Sequence, residues 1–195
     1  MIKNEEKTGV VLALGMNGEG IVKDGNETVF VPFAITGEKI RYKIIKCSSK
    51  GNFGKLLEVL TPADDRVRPI CQVFNKCGGC QLQHLKYSAQ VKFKEEKVAT
   101  CFKKIANIHA EVKACVKGDG EFHYRNKLQL PVGQTEDGVC VGFYAENSHR
   151  IVPISNCVIN PFWTESVIVA LKEYMAKHNL KGYNENTFEG DIREI

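Results

Sequence analysis

Three cysteines within ten residues, Cys71-Gln-Val-Phe-Asn-Lys-Cys77-Gly-Gly-Cys80, constrain this chain more than any other stretch of it. The C-x2-C step lets one tight turn present two thiolates to a single metal centre. Gly78-Gly79 supplies the positive φ and close backbone approach that such a turn requires. Backbone N–H groups of the same turn can point at sulfur, which lowers the cost of gathering negative thiolates. A Gly-Gly turn is a poor place for apolar burial, so the motif reads as metal ligation rather than as three core thiols. The opening Met1-Ile-Lys-Asn-Glu-Glu-Lys7 has no apolar h-region, and no apolar run approaches the roughly 18 residues of a membrane span. The expectation is a cytoplasmic protein with no membrane partner, whose eight cysteines stay reduced.

Four ligands are the norm, so a fourth must come from outside the motif. Cys101 falls in a helical pattern, and Cys47, Cys115 and Cys140 lie in strand-like or edge contexts, where cysteine serves as a small apolar residue. Cys157 follows Pro153-Ile-Ser-Asn156 and precedes Pro161, in a loop between a strand and a helix, and is the expected fourth ligand. His84, four residues past Cys80, is the alternative, making a Cys3His zinc site with Cys71, Cys77 and Cys80.

Ahead of the cysteines the chain reads as a small all-β unit over residues 1–60. Short β-rich runs, Gly9–Ala13, Gly20–Val22, Thr28–Val31, Lys39–Ile45 and Lys55–Leu60, are separated by Gly and Asn turns, the pattern of a small barrel. The glycine cluster Gly15-Met-Asn-Gly-Glu-Gly20 lies between two strands and opens no helix, so it is a turn and not a nucleotide fingerprint. Arg41, Lys43, Lys46, Lys50 and Lys55 face only Glu58 between residues 41 and 60, a basic stretch suited to a phosphate backbone.

Residues 61–87 read as a linker and the cysteine loop, and 88–195 as a central α+β domain with a mostly antiparallel sheet and two helices. Ser88 to Asn107 places Val91, Val98, Cys101, Phe102 and Ile105 on one helical face, expected to rest on a sheet, with Ser88 as N-cap. His123–Val132 and Val139–Ala145 alternate as strands joined by Gly133–Gly138. Asn160-Pro161 opens a second helix with an apolar stripe of Val167, Ile168, Leu171 and Met175, closed by Gly182. Between residues 83 and 127 ten basic residues stand against five acidic ones. Tyr124, Arg125 and Lys127 put a ring and two cations together, a combination that stacks a base and binds phosphate. His149 reads as a structural or surface histidine.

Two sets of motifs carry a family resemblance. Gly18-Glu-Gly-Ile-Val22, Val29-Phe-Val-Pro-Phe33 and Gly37-Glu-Lys-Ile40 resemble the TRAM domain, which implies an OB-like five-stranded barrel of the kind found on RNA-modifying enzymes. The spacing Cys71-x5-Cys77-Gly-Gly-Cys80, then Gln81-Leu-Gln-His-Leu85, Tyr87 and distant Cys157, resembles the signature of bacterial RNA uracil-5-methyltransferases that make 5-methyluridine in 23S ribosomal RNA. His123-Tyr-Arg-Asn-Lys127, Gly142-Phe-Tyr144, Ser148-His149 and Ile154-Ser-Asn-Cys157 follow in the family's order.

The resemblance implies a [4Fe-4S] cluster on Cys71, Cys77, Cys80 and Cys157, acting as a structural staple. It also implies RNA as partner, 23S ribosomal RNA in particular, with Tyr124, Arg125 and Lys127 near the RNA path and Arg41, Lys43 and Lys46 on the barrel as further contacts. In the resembling enzymes a cysteine thiolate adds to C6 of an unstacked uracil, C5 takes the methyl of S-adenosylmethionine, and a base removes the C5 proton. Those groups and the cofactor pocket sit in a Rossmann-like domain with glycine-rich βα units, and nothing of that kind appears here. No catalytic or S-adenosylmethionine-binding residue is therefore expected in this chain, and S-adenosylmethionine belongs to the full-length enzyme only. Thr187–Ile195 reads as a hairpin cut off before its partner, and the chain as a truncated, monomeric piece of the enzyme that is inactive alone. The competing expectation is an autonomous zinc-bearing RNA-binding module without enzymatic activity.

Overall fold

The computed structural model describes residues 1–49 and 51–195 and divides into two compact units, Met1–Pro69 with Gln81–Lys117, and Ile70–Cys80 with Gly118–Ile195. The first unit is built on a closed barrel of β1 (Glu6–Leu14), β2 (Gly20–Asp24), β3 (Glu27–Val31), β4 (Lys39–Lys46) and β5 (Asn52–Thr61), in the order β1-β2-β3-β5-β4. Alternation sets which residues fill it: Ile40, Tyr42 and Ile44 of β4 point inward and pack with Val11, Val22, Val29, Val31 and Ala34. Fully burying a Val or Ile side chain is worth about 1.5–3 kcal/mol, so this cluster is what holds the barrel closed. Gly18, at φ 87°, makes the β1–β2 turn, its N–H donating to the Gly15 carbonyl at 3.0 Å. The glycine cluster is thus a hairpin turn, as its sequence context implies.

The first unit also holds a buried ion pair in the stretch that reads as a linker. Glu38 is fully buried, accepts the Ile35 N–H at 2.9 Å, and is gripped by Arg66 through Nε and through Nη2 at 2.8 Å. Arg66 Nη2 donates also to the Phe33 carbonyl at 2.7 Å. The backbone here pairs with the segment after the cysteines, Val67 N–H to the His84 carbonyl at 2.9 Å.

Helix α1 (Tyr87–Thr100) begins one residue before the expected Ser88 and has no side-chain cap; Gln90 Nε2 instead donates to the Leu82 and Leu85 carbonyls at 3.1 and 2.8 Å. The helix widens into a π-helical turn over Cys101–Ile105. The expected buried face is corrected: Val91 alone is buried, while Val98, Phe102 and Ile105 are exposed. The wider turn moves Phe102 and Ile105 off the α-helical stripe, whereas Val98 is exposed within the regular helix itself, so the 3.6-residue pattern does not form one core face.

In the second unit β6 (Val132–Thr135), β7 (Gly138–Tyr144) and β8 (Ile151–Pro153) form an antiparallel meander against α2 (Thr164–Lys177). Leu130, Val132, Val141, Ile154, Ile168 and Met175 form its core, with Cys157, Val73 and Leu171 packed beside it. The first hairpin is shorter and later than expected. Gly133, Gln134 and Thr135 are paired strand residues, the turn is Glu136-Asp137, and Gly138 at φ 109° closes it. Residues 123–129 form no sheet strand.

The close of α2 also differs from expectation. Asn179, at φ 53°, takes the left-handed position, with Leu180 N–H donating to Met175 O at 2.9 Å and Asn179 N–H to Ala176 O at 3.4 Å. That is a Schellman cap with Asn at C′. Gly182 instead bridges Ile192. The C-terminal segment, expected to lack a partner, pairs with the edge before β6. Leu130 and Ile195 exchange N–H···O bonds of 2.8 and 3.0 Å, and Val132 N–H donates to Arg193 O at 2.8 Å.

Candidate metal centre and nucleic-acid interface

The cysteine loop is shaped by its own backbone. Phe74 N–H donates to Cys71 O at 3.3 Å and Cys77 N–H to Val73 O at 2.8 Å, winding the five intervening residues into consecutive turns. Gly78 N–H then donates to Tyr144 O at 2.9 Å, docking the loop on the end of β7. Neither Gly78 nor Gly79 takes the positive φ expected of them, and close approach is what the site demands: a Cβ on Gly78 would stand 3.0 Å from both Glu146 N and Tyr144 O, so no larger residue fits without moving backbone. Gly79 N–H points at Cys77 Sγ, 3.3 Å away, the amide-to-sulfur contact anticipated for this turn.

Cys71, Cys77, Cys80 and Cys157 all belong to the second unit, all are half-buried, and all eight cysteines are thiols. Burial pushes the Cys77 thiol up in pKa, the Gly79 N–H opposes this, Cys71 and Cys157 raise it further, and Arg125 lowers it. Cys71, Cys77 and Cys157 thus share one electrostatic neighbourhood although the last comes from the loop between β8 and α2. Among the described residues, no three His, Cys, Asp or Glu side chains are drawn together closely enough to hold a metal ion.

Beside Cys157 lies a second feature. Asn160 is fully buried, its N–H donates to Cys157 O at 2.9 Å, and its side-chain Oδ1 and Nδ2 find no hydrogen-bond partner among the described residues. An unpaired buried amide is costly, which marks it as a group built for something polar. The cap role expected of it is corrected: α2 begins at Thr164 with Trp163 at the N-cap position and no side-chain cap bond, and no pattern in the sequence marks Asn160 as a buried polar group instead.

His84 lies in the first unit, fully buried, its ring edge-on to Phe33 at 6.1 Å. Burial, then the Arg66 charge, lower its pKa to about 4, with Glu38 opposing. A base held neutral at pH 7 is a good ligand in principle, yet its electrostatic neighbours are Arg66 and Glu38 of the barrel.

The basic residues are unequally placed. The first unit carries 19 basic against 12 acidic residues and the second 8 against 11, so the phosphate-attracting charge sits on the barrel and α1. Of the barrel cations, Arg41 is paired with Glu6 at 3.0 Å and Glu58 at 3.1 Å, Lys43 is half-buried, and Lys46 is exposed over the Phe53 ring at 5.9 Å. Lys50 lies outside the described residues.

In the second unit Tyr124 and Lys127 are exposed, and Arg125 sits over the Phe143 ring at 5.8 Å. Their segment is tied to the Cys157 loop by His123 N–H to Val158 O and Arg125 N–H to Ile159 O, each 3.0 Å. His149, exposed, pairs through Nδ1 with Glu185 at 2.6 Å, and Glu185 also accepts the Tyr144 hydroxyl at 3.1 Å. This is a surface arrangement, in keeping with its sequence reading. His123 and Phe162, which sequence reasoning passes over, stack face to face at 3.8 Å.

Among the described residues no helix is long and apolar enough to cross a membrane. No family model matches the chain. It is 40% identical over 99% of its length to an uncharacterized RNA methyltransferase of Clostridium acetobutylicum, of which it spans 43%. It is 39% identical over 99% of its length to another from Clostridium tetani, spanning 42% of that protein. Among solved structures, the Pyrococcus abyssi tRNA (uracil-54, C5)-methyltransferase in complex with S-adenosyl-L-homocysteine matches 96% of this chain and 41% of its own, at 27% identity and a TM-score of 0.72. The chain therefore spans less than half the length of the RNA methyltransferases it is similar to.

Proposed function

We infer that this chain is the RNA-gripping, cluster-bearing portion of an S-adenosylmethionine-dependent RNA uracil-5-methyltransferase acting on 23S ribosomal RNA, a cytoplasmic, monomeric protein. In this reading a TRAM-type barrel supplies the phosphate grip, and Cys71, Cys77, Cys80 and Cys157 hold a [4Fe-4S] cluster. The observation that supports it is that Cys77 feels the charges of both Cys71 and Cys157, so a loop after β8 shares the electrostatic surroundings of the C-x2-C turn.

The donor set fits such a group. Gly79 already directs an N–H at Cys77 sulfur, a donor of the kind that stabilises thiolate. When bound, the cluster supplies a cross-link between the 70–80 loop and the β8–α2 connection. Gly78 lets the loop approach Tyr144 closely, and Arg125 places a positive charge toward the thiols. On the RNA side, Lys43, Lys46 and the lysines of α1 neutralise phosphates, while Tyr124, Arg125 and Lys127 engage bases and backbone of an unpaired segment. The chain binds and orients RNA, and methyl transfer belongs to the remainder of the enzyme.

Purification without oxygen tests this. Broad absorption near ~400 nm with about four irons and matching sulfide per chain, abolished by Cys157→Ala, supports the reading. A colourless protein carrying zinc and indifferent to Cys157→Ala overturns it in favour of the zinc module. Competition between 23S and transfer RNA transcripts identifies the RNA, the Pyrococcus abyssi neighbour being a transfer RNA enzyme.

A further inference from the structure

His123 is held in the left-handed region at φ 56°, a conformation uncommon for residues other than Gly and Asn and favoured when surroundings fix it. Three contacts do so. Its N–H donates to Val158 O at 3.0 Å, its Nδ1 lies 2.7 Å from Asn160 O, and its ring stacks on Phe162 at 3.8 Å with 27° between the planes. Phe162 has one face against this fixed imidazole, yet 76% of the residue is exposed, and the adjoining Trp163 is 53% exposed. Tyr124, 64% exposed, follows His123 directly. A rigidly backed aromatic ring with an open face costs little entropy to use and serves no purpose in the core of this unit.

Charge says what would cover it. The unit is acidic overall, so it does not attract polyanions by net charge, but Arg125 and Lys127 lie two and four residues from His123 in the same segment. Rings set among a few cations on an otherwise acidic body are the features of a base-stacking platform, in which aromatic area supplies affinity and isolated cations hold the flanking phosphates.

We propose that Phe162, braced by His123 and flanked by Trp163 and Tyr124, stacks an unpaired nucleobase of the RNA, with Arg125 and Lys127 on the neighbouring phosphates. The proposal rests on the RNA-binding reading above and adds to it the place and manner in which a base is received.

The chain's single tryptophan, Trp163, adjoins the platform and reports on it. The full chain, with its metal complement, is titrated with a fluorescein-labelled oligouridylate 8-mer for affinity, and with the unlabelled 8-mer for Trp163 emission. An abasic ribose-phosphate 8-mer of equal charge serves as comparison. Quenching of Trp163 by the oligouridylate but not by the abasic strand supports the proposal, as does a roughly 5- to 100-fold loss of affinity in Phe162→Ala that Phe162→Tyr restores. Far-UV circular dichroism of each variant confirms that α2 is intact. Tight oligouridylate binding with Trp163 unquenched and Phe162→Ala equal to the parent overturns the platform while leaving RNA binding standing. Absence of binding by the parent to both RNA strands overturns the RNA reading and the platform with it.

Discussion

Replacing Arg66 by Met separates the buried ion pair from everything around it. The guanidinium provides two of the three N–H contacts to the Glu38 carboxylate and one to the Phe33 carbonyl; in the variant Glu38 keeps only the Ile35 N–H. Breaking a buried pair by removing one partner costs about 3–5 kcal/mol, because the remaining charge is left in a dry site. The Arg66 side chain is 23% exposed, so water already screens part of the attraction and the lower end applies. With the lost bond to Phe33 O at about 1 kcal/mol, the sum is about 4 kcal/mol. Two units need not unfold together, so a global melting curve is a poor reader. Amide hydrogen exchange of β4, which carries Ile40, Tyr42 and Ile44 of the barrel core, reports the opening of this unit alone. Protection there should fall several-hundred-fold, and adding Glu38→Gln, which removes the stranded charge, should restore part of it. A drop equivalent to less than about 1 kcal/mol, or a double variant no better than the single, would refute the reasoning.

Three further outcomes follow from other contacts. His84, neutral in the fold with a pKa near 4 against 6.5 unfolded, binds fewer protons when folded between those values, so barrel stability is full above pH 6.5 and falls on acidification toward pH 4. The total is about 3 kcal/mol, and a flat exchange profile over pH 7 to 4.5, or one unchanged in His84→Phe, speaks against it. Gly78→Ala forces a Cβ against Tyr144 O and Glu146 N, so iron content after anaerobic purification should drop while β4 exchange stays as in the parent. Asn179→Gly should match or slightly exceed the parent in thermal stability, whereas Asn179→Val should lose about 1–2 kcal/mol, followed by Trp163 emission. Equal melting of the two variants would remove the cap from the account.

Much of the barrel is legible in the sequence because it is a local pattern. Each barrel strand alternates within itself, so its inward residues can be read off one segment at a time. The same local reasoning misplaced the end of α2, since Asn179 and Gly182 are both competent left-handed residues and the choice depends on Gly182 being drawn into a bridge with Ile192. It also misjudged α1, whose apolar residues are spaced for a face that the π-helical turn breaks.

Composition, strand alternation and cysteine spacing are properties a chain carries before it folds, and they determined a basic barrel followed by a cysteine-rich loop. The tertiary structure alone decided which distant groups meet: Arg66 with Glu38, the Phe162 ring with His123. Such meetings depend on loop closures over tens of residues, whose entropy is offset by the core that the strands assemble around them, and no periodicity within one segment records the partner that another segment supplies.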